Sequence, residues 1–446
     1  MKKLLLSFIA FAFALSMNAQ IFWQENATGF SSVSRGINQI SYADANNVWC
    51  TAYDGVTVTN VIREFTKSTD GGATWTAGVI NLGVTTLGLA CISGISDTTA
   101  FVGAFPDTGG TGGVWKTTDS GATWTRQASA SFNSATSFTD IVQFWDANNG
   151  IAIGDPDTPT TFEVYTTSNG GTNWVRLPAG NIPVPLDGEY AYTRGFCVNG
   201  DNMWFGTNKG RLYRSTDRGQ NWTVAVSPIA DFQTGNYAFQ SATEGLLIAD
   251  DFQFWRTTDG GATWNPEVPT GVFRNAALCY VPGTVNTYVS LGDDPDLGER
   301  GSSYSTDGGL NWIDINTLGD DANVDNTTDV QFFDNTNGLA SGFNASVAAG
   351  GIFKYVGTQL SLATATFSND KGFTAFINAS TGMLEVNGKN ITNVAVYDVL
   401  GKLVSNGNFT SVDNASINAA NLNAGIYLVK VTNNAGASST VKVVKN

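Results

Sequence analysis

The side chains available for chemistry in this chain are mainly carboxylates and arginines, because its 446 residues include no histidine. This absence excludes serine–histidine and cysteine–histidine nucleophile pairs, histidine-ligated zinc and histidine general bases. The 38 acidic residues outnumber the 23 basic residues, which gives a formal net charge of −15. Such a charge disfavours nucleic acid as a partner, since binding to phosphates requires a basic surface.

Carboxylates recur where the sequence predicts the second strands of a repeated unit to end. These binding candidates, with one neighbouring arginine, are Asp155, Asp157, Asp250, Asp251, Asp293, Asp294 and Arg300. Clustered carboxylates suit hard cations, so we predict a polar site for a glycan or for a cation such as calcium. No other cofactor and no dedicated set of metal ligands is indicated, and the alternative interpretation is a solvated acidic loop surface.

Arginines recur near the start of the predicted first strands. Arg35, Arg194 and Arg274 lie at comparable places, and the loop before Arg194 also contains Glu189 and Tyr192. Guanidinium groups bind carboxylates in a bidentate manner, so the three arginines are further binding candidates. The arginines and carboxylates form one site only if the fold brings their loops to a single face.

The element that must position these residues is a repeat whose most regular part reads Ser/Thr-x-Asp-x-Gly-x-Thr-Trp. We call this segment the box, and its six copies are residues 68–75, 117–124, 167–174, 215–222, 257–264 and 305–312. The six box tryptophans are separated by 49, 50, 48, 42 and 48 residues. Six copies at a nearly constant spacing indicate one supersecondary unit repeated through the fold.

A seventh unit is split between the two ends of the repeat region. Residues 330–339 and 351–355 supply its first strands without a following box, and Trp23 takes the place of the box tryptophan. The N-terminal strand is therefore predicted to close a ring, in which radially packed four-stranded sheets bury their faces. The predicted fold is all-β, with a seven-bladed β-propeller over residues 21–360 and a small C-terminal β-sandwich over residues 361–446.

Each box is predicted to form the hairpin between the third and fourth strands of a blade. Its Asp and Ser/Thr side chains can accept hydrogen bonds from turn amides, and its tryptophan covers the hairpin base. We interpret the boxes as structural, the alternative being a repeated calcium or glycan site. Unit three has Asn169 and Asn173 in place of Asp and Thr, so its hairpin is predicted to be the least firmly tied.

The loops with the candidate residues are predicted to lie on the face opposite the boxes. Alternate loops of an antiparallel blade share a face, and the candidates lie in loops of the other kind. Binding and catalysis usually occupy such loops.

The box resembles the Asp-box (BNR) repeat of bacterial neuraminidases, and the full unit is most similar to propellers of the photosystem II assembly-factor type. The resemblance covers nearly all of residues 21–360 and implies a β-propeller. The neuraminidase resemblance implies an arginine cluster for a substrate carboxylate, Glu189 and Tyr192 as a nucleophile pair, and Asp54 as the acid. The chain departs from that pattern because it lacks an Arg-Ile-Pro start and has more boxes and blades.

These patterns leave functions of different classes open. The favoured hypothesis is a monomeric binding or scaffold module for a glycan or a surface protein. The alternative is a sialidase-like or other glycoside hydrolase that uses the face opposite the boxes. A passive structural component of the cell surface is a third possibility.

Segments near the two ends of the sequence predict the location of the protein. Residues 1–20 combine two lysines with an apolar run and are predicted to be a signal peptide, and no later run is long enough to span a membrane. Residues 393–404 and 421–431 resemble the C-terminal sorting domain of the type IX secretion system in Bacteroidota. The resemblance implies contact with that machinery and a secreted or outer-membrane-surface location.

The four cysteines are predicted to be buried free thiols. Cys91, Cys197 and Cys279 fall at similar positions in separate repeat units, which places them in different blades. Free cysteine behaves as a small apolar residue in a protein core.

Overall fold

The computed structural model describes residues 22–57, 60–293, 300–315, 329–357, 360, 373–378, 381–398, 402–434 and 438–445. The chain divides into two compact units, Met1–Ser361 and Leu362–Asn446. In the described ranges every regular element is a β-strand except a 3₁₀ turn at Ala179–Asn181, which confirms the all-β class. The predicted signal peptide, residues 1–20, lies outside the described residues.

The first unit is built from seven antiparallel blades. Its first strand, β1 (Trp23–Ala27), belongs to the last of them. Blade 1 comprises β2 (Arg35–Tyr42), β3 (Val48–Asp54), β4 (Glu64–Ser68) and β5 (Thr76–Val79). Blade 2 comprises β6 (Leu87–Gly94), β7 (Ala100–Pro106), β8 (Gly113–Thr117) and β9 (Thr125–Arg126). Blade 3 comprises β10 (Thr139–Phe144), β11 (Gly150–Thr158), β12 (Thr161–Thr167) and β13 (Val175–Arg176).

The other four blades have the same strand order. Blade 4 comprises β14 (Ala191–Asn199), β15 (Asn202–Thr207), β16 (Arg211–Ser215) and β17 (Trp222–Val226). Blade 5 comprises β18 (Gly235–Phe239), β19 (Gly245–Ala249), β20 (Phe254–Thr257) and β21 (Asn265–Pro266). Blade 6 comprises β22 (Ala277–Tyr280), β23 (Tyr288–Asp293), β24 (Arg300–Ser305) and β25 (Ile313–Ile315). Blade 7 comprises β26 (Val330–Phe332), β27 (Gly338–Ser346), β28 (Ala349–Tyr355) and β1.

The ring closes through the N-terminal strand, as the sequence predicted. Strand β1 pairs antiparallel with β28, with Trp23 opposite Tyr355 and Glu25 opposite Phe353. The Trp23 indole also donates a 2.9 Å hydrogen bond to the Ser302 hydroxyl of blade 6. The first strand of the propeller is thus built into the blade formed by its last strands, which closes the ring.

Aromatic residues fill the space between neighbouring blades. Trp49 of blade 1 is buried and packs against Phe65 and Trp124, with ring centroids 5.3 and 6.4 Å away. Trp204 stacks on Phe239 of the next blade at 3.8 Å. Pairs of this kind contribute about 0.5–1.5 kcal/mol beyond the burial of their area. All four cysteines are free; Cys50, Cys91 and Cys279 are buried and Cys197 is half-buried.

The box forms the predicted hairpin, and its side chains bind the backbone of the same turn. In blade 1, Ser68 Oγ accepts a hydrogen bond from Gly72 N at 2.8 Å, and Asp70 Oδ1 accepts one from Thr74 N at 2.8 Å. Thr74 Oγ1 donates to Asp70 Oδ2 at 2.5 Å. Gly72 has φ +85°, a backbone conformation that favours glycine.

The box of blade 3 lacks one hydrogen bond that the other five boxes share. Asn169 Oδ1 accepts from Asn173 N at 2.9 Å, as the aspartate does elsewhere. In the other five boxes, the side chain at the seventh position of the box also donates to the second carboxylate oxygen of the aspartate, at 2.5 to 2.8 Å. An asparagine has only one acceptor oxygen, which accounts for the missing bond.

The second unit is a five-stranded antiparallel sheet. Its strands are β29 (Thr374–Asn378), β30 (Met383–Asp398), β31 (Leu403–Asn418), β32 (Gly425–Asn433) and β33 (Ser438–Lys445). The long strand β30 pairs with β29, β31 and β32, and the sheet curls so that β29 contacts β33. Its core includes Leu384, Val394, Val396 and Val429. No helix among the described residues is long and apolar enough to cross a membrane.

Candidate functional site

Two adjoining cavities lie in the propeller. The larger, of about 630 Å³, is lined by first strands of the blades and is called the channel. The smaller, of about 420 Å³, is lined by Tyr192, Asp250, Asn275 and Asp293 and is called the mouth cavity. Asp250 and Asp293 end or follow second strands, so the mouth cavity belongs to the face opposite the boxes. Arg194 lines both cavities.

Strand β14, the first strand of blade 4, is irregular where it meets the two cavities. Its pairing with β15 shifts register between Ala191 and Phe196. Within this bulge Arg194 has φ +64°, a conformation that costs energy for a residue with a long side chain. Arg194 Nη1 donates a 2.7 Å hydrogen bond to the Asn38 carbonyl oxygen of blade 1. The guanidinium of Arg194, a residue of the blade 4 bulge, therefore contacts blade 1.

The channel wall that contains Arg194 also contains a half-buried carboxylate, Asp329. Burial lowers the pKa of Arg194, and the charge of Asp329 opposes that shift. Asp329 Oδ2 accepts a hydrogen bond from Ile40 N at 2.7 Å, and Oδ1 accepts one from Gln331 Nε2 at 2.9 Å. Burial raises the pKa of Asp329 above its ordinary value, although these bonds and Arg194 oppose the shift. The sequence analysis missed Asp329, which lies just before β26.

Aromatic and acidic side chains form the wall of the mouth cavity. The rings of Tyr190 and Tyr192 meet edge to face with centroids 5.8 Å apart. Burial raises the pKa of Tyr192, and the nearby Tyr190, Asp250 and Asp231 add to that shift. Asp250 is exposed, and its Oδ2 accepts a 3.4 Å hydrogen bond from Thr234 Oγ1. Such a wall can bind a ligand through ring faces and hydrogen-bond acceptors.

The three predicted arginines have separate partners and do not form a cluster. Arg35 pairs with Asp54 and Glu64, each at 3.4 Å, within blade 1. Arg274 is buried; it pairs with Asp314 at 2.8 Å and donates to the Gly292 carbonyl oxygen at 3.2 Å. Of the three, Arg194 alone lines the described cavities.

Two of the three predicted catalytic residues serve the structure of loops. Glu189 is 3% exposed and accepts hydrogen bonds from Leu186 N, Thr207 Oγ1 and Arg211 Nη1 at 2.6 to 2.7 Å. Asp54 accepts bonds from Val56 N, Thr57 N and Asn60 Nδ2 at 2.9 to 3.1 Å, and these bonds lower its pKa. A lowered pKa opposes the role of a general acid. Tyr192, the third candidate, lines the mouth cavity.

The predicted carboxylates divide between structural roles and the mouth cavity. Asp157 forms a bidentate pair with Arg176 at 2.7 and 3.0 Å. Asp251 accepts two hydrogen bonds from Gln253, at 2.8 and 3.2 Å. Asp293 pairs with Arg300 at 2.8 Å while it lines the mouth cavity. Asp294 lies outside the described residues.

Asp155 adjoins a second carboxylate that the sequence analysis did not select. Its Oδ1 accepts a 3.2 Å hydrogen bond from Ala191 N, at the start of the irregular strand β14. Burial raises the pKa of Asp155 to about 6 and raises the pKa of neighbouring Asp140 well above its ordinary value. An aspartate between Thr139 and Ile141, in an apolar strand, was the available sequence signal.

No group of three or more histidine, cysteine, aspartate or glutamate side chains that could hold a metal ion occurs among the described residues. The candidate residues that line the mouth cavity are Tyr192, Arg194, Asp250 and Asp293. This set can bind hydroxyl, amide or carboxylate groups of a ligand.

Comparison with known proteins identifies the C-terminal segment. Residues 376–446 match the secretion system C-terminal sorting domain family. The chain therefore carries the type IX sorting domain that its sequence resembles, and it is exported to the cell surface or beyond.

The propeller is similar to proteins of two kinds. A xyloglucanase from Paenibacillus sp is 27% identical over 209 residues, which cover 39% of this chain and only 19% of the xyloglucanase. The solved structure titled YCF48 bound to D1 peptide has a TM-score of 0.52 at 16% identity, over 75% of this chain and 96% of that one. YCF48 from Cyanidioschyzon merolae has a TM-score of 0.51 at 15% identity, over 75% and 98% of the two chains. These two structures support the propeller fold alone.

Proposed function

We propose that this exported propeller is a binding module that captures its ligand, a glycan or another surface protein, at the mouth cavity around Arg194. The observation that carries the proposal is the bulge in β14, which keeps Arg194 at φ +64° and aims its side chain into the wall shared by two cavities. Strained backbone beside a cavity is one sign of a functional site. The neighbour solved with a peptide shows that a propeller of this fold can accept a protein ligand.

The guanidinium of Arg194 has the donors that such a ligand needs. Its hydrogen bond to the Asn38 carbonyl oxygen uses one of its five N–H groups. Asp329 contributes charge to the same wall while both its oxygens accept hydrogen bonds from neighbours. Arg194 is therefore the cationic group that a ligand entering from the mouth meets.

Arg218 provides a matched control for Arg194 on the box face. It also has a positive φ, of 58°, and its guanidinium pairs with Asp146 and Asp201 at the surface. Binding of the full chain to soluble xyloglucan, polygalacturonate and a library of acidic peptides should be measured for Arg194→Ala and Arg218→Ala. We expect saturable binding of at least one probe, weakened by about 10-fold or more in Arg194→Ala and unchanged in Arg218→Ala. Absence of binding to every probe, or equal binding by both variants, contradicts the proposal.

Glycoside hydrolysis is the second candidate, and the similarity to a xyloglucanase is the observation that favours it. Asp250 and Asp293 are the carboxylates at the mouth cavity, whereas Glu189 and Asp54 are engaged in loop structure. Release of reducing ends from soluble xyloglucan, abolished in Asp250→Asn or Asp293→Asn, supports hydrolysis. Saturable binding without such release supports the binding module.

A further inference from the structure

Three aromatic side chains belong to the segments beside the mouth cavity, and we call them the aromatic rim: one lines the cavity, one contacts the ring of the first, and one directly precedes a lining residue in the chain. They are Tyr190, Tyr192 and Phe232. Phe232 is 64% exposed and Tyr190 is 37% exposed, whereas the rings between the blades are buried. Phe232 directly precedes Gln233 and Thr234, which line the cavity together with Tyr192. Exposed large aromatic groups beside a cavity mark an interaction site.

A single buried asparagine fixes the two loops that carry Tyr190 and Phe232. Asn208 is fully buried, and its Oδ1 accepts a 2.8 Å hydrogen bond from Tyr190 N. Its own N–H donates to the Tyr190 carbonyl oxygen at 3.1 Å, and its carbonyl oxygen accepts from Phe232 N at 2.9 Å. Its Nδ2 donates to the Gly188 carbonyl oxygen at 3.0 Å. The rim is therefore pre-organised, which reduces the entropy that binding must overcome.

The phenylalanine is also held in an unusual conformation. Phe232 has φ +64°, and the Lys209 ammonium lies 5.1 Å from the centroid of its ring. Lys209 is in turn 3.8 Å from Asp231. The strained backbone at Phe232 keeps its apolar ring in solvent, where the ring adds nothing to core packing. The strain therefore points to a ligand.

The polar groups between the rings are hydrogen-bond acceptors and neutral amides. Asp250 bonds Thr234 only at 3.4 to 3.5 Å, and Gln233 and Asn275 line the same cavity. Carboxylate and amide groups bind hydroxyls, and the electron-rich face of an aromatic ring attracts the C–H groups of a sugar ring. The carboxylates Asp250 and Asp231 disfavour an acidic polymer at this rim, as does the net charge of −15.

We infer that the aromatic rim binds a neutral polysaccharide, with Tyr190 and Phe232 as stacking platforms and Asp250 as a hydroxyl acceptor. This inference rests on the proposed binding function and specifies its ligand class. Asn208 is a positioning residue that presents the platforms. Arg194, at the inner end of the cavity, donates to ligand oxygens.

Binding of the full chain to soluble xyloglucan and glucomannan, with polygalacturonate as the acidic counterpart, tests the inference. We expect the neutral polymers to bind, and Phe232→Ala and Tyr190→Ala each to weaken that binding by about 10-fold. Tyr190→Phe keeps the ring face and should bind as the wild type does. Phe376→Ala removes a similarly exposed phenylalanine, 50% exposed, from the other unit and should change nothing.

The outcomes separate the rim from the broader binding function. Arg194-dependent binding of polygalacturonate or acidic peptides, without binding of either neutral polymer, overturns the inference and leaves the binding module in place. Neutral-polymer binding that both rim variants retain also overturns it, given that Phe232 lies at the surface and its variant is expected to fold. Absence of binding to every probe overturns both proposals.

Discussion

At the box face of the propeller the same hydrogen bonds recur from blade to blade, whereas at the mouth each blade presents different side chains. Asp70 and its five counterparts are used by their own turns, and five of the six bind the side chain four residues on. At the mouth, by contrast, blade 4 alone contributes the Arg194 bulge. The repeated contacts are made within the turns of the boxes, whereas the side chains that line the mouth cavity differ from blade to blade.

Glu189 is the clearest exception to this comparison. It lies on the mouth side of the ring, but its carboxylate accepts hydrogen bonds from Leu186, Thr207 and Arg211 within the fold. Its replacement by alanine leaves the Arg211 guanidinium, with 12% of its side chain exposed, without its carboxylate. Removing one partner of a buried ion pair costs about 3–5 kcal/mol. We therefore expect Glu189→Ala to lower the free energy of unfolding by that amount in urea titrations.

The control for Glu189 is the amide variant Glu189→Gln, which keeps the shape and part of the hydrogen bonding. It should be less destabilised than Glu189→Ala. Equal stability of Glu189→Ala and the wild type means that Glu189 is not structural, and it returns to the list of catalytic candidates.

The carboxyl pair Asp140 and Asp155 makes the start of the irregular strand sensitive to pH. Burial raises the pKa of Asp155 to about 6, above the value of about 3.9 for an unfolded chain. The folded state therefore binds more protons between these values, and this contribution to stability is present below about pH 4 and is lost as pH rises through 6. Asp155→Asn cannot ionise, so it should gain about 2 kcal/mol relative to the wild type between pH 4 and pH 8.

Urea unfolding of both proteins at pH 4 and pH 8 measures this difference directly. The variant Asp157→Asn, altered two residues away in an ion pair with Arg176, is the control and should lack the same trend. A stability difference between Asp155→Asn and the wild type that stays constant with pH contradicts the assignment.

The box of blade 3 allows the contribution of one turn hydrogen bond to stability to be measured. Asn169→Asp provides a second acceptor oxygen. In blade 4, Asn221 occupies the seventh position of the box and donates a 2.8 Å hydrogen bond to the second oxygen of Asp217, so Asn173 can do the same. We expect a gain of about 1 kcal/mol in unfolding free energy, the usual value of one hydrogen bond. The melting temperature measures it, and an unchanged or lower value shows that the blade 3 hairpin is not limited by this bond.

The smallest effect belongs to the exposed ion pairs of the box face. Arg218→Ala removes pairs to Asp146 and Asp201, but its side chain is 39% exposed. Exposed ion pairs contribute little to stability, so the unfolding free energy of Arg218→Ala should be close to that of the wild type. A loss of several kcal/mol in urea titration means that this face depends on ion pairs as well as on turns.

Sequence alone predicted the fold in detail because its signals are local and repeated. The box fixes its own hairpin through the hydrogen bonds of Ser68 and Asp70, and the tryptophan spacing gives the blade period. Even the ring closure through Trp23 followed from one missing box. The structure also places four of the candidate residues around one cavity, namely Tyr192, Arg194, Asp250 and Asp293.

The rest of the site depends on contacts between loops, which the spacing of residues in the sequence does not indicate. The partners of Glu189 and Asp54 come from folding of their own loops, so their acidity alone suggested chemistry. The positive φ of Arg194 lies within a register shift of β14, and the glycine in the same bulge, Gly195, does not show that the residue before it takes this conformation. Phe232 was missed, although an aromatic residue within the polar segment 231–234 was a usable signal.

Paired measurements on Asp259→Ala and Arg194→Ala separate the two roles that we propose, stabilisation of the propeller by the boxes and ligand binding at the mouth. Asp259 binds Thr257, and Thr263 through both oxygens, within its own turn. The melting temperature and the affinity for soluble xyloglucan and acidic peptides should be measured for both variants. We predict a lower melting temperature with unchanged affinity for Asp259→Ala, and lost affinity without a lower melting temperature for Arg194→Ala. The opposite assignment, with affinity lost in Asp259→Ala and retained in Arg194→Ala, contradicts the claim.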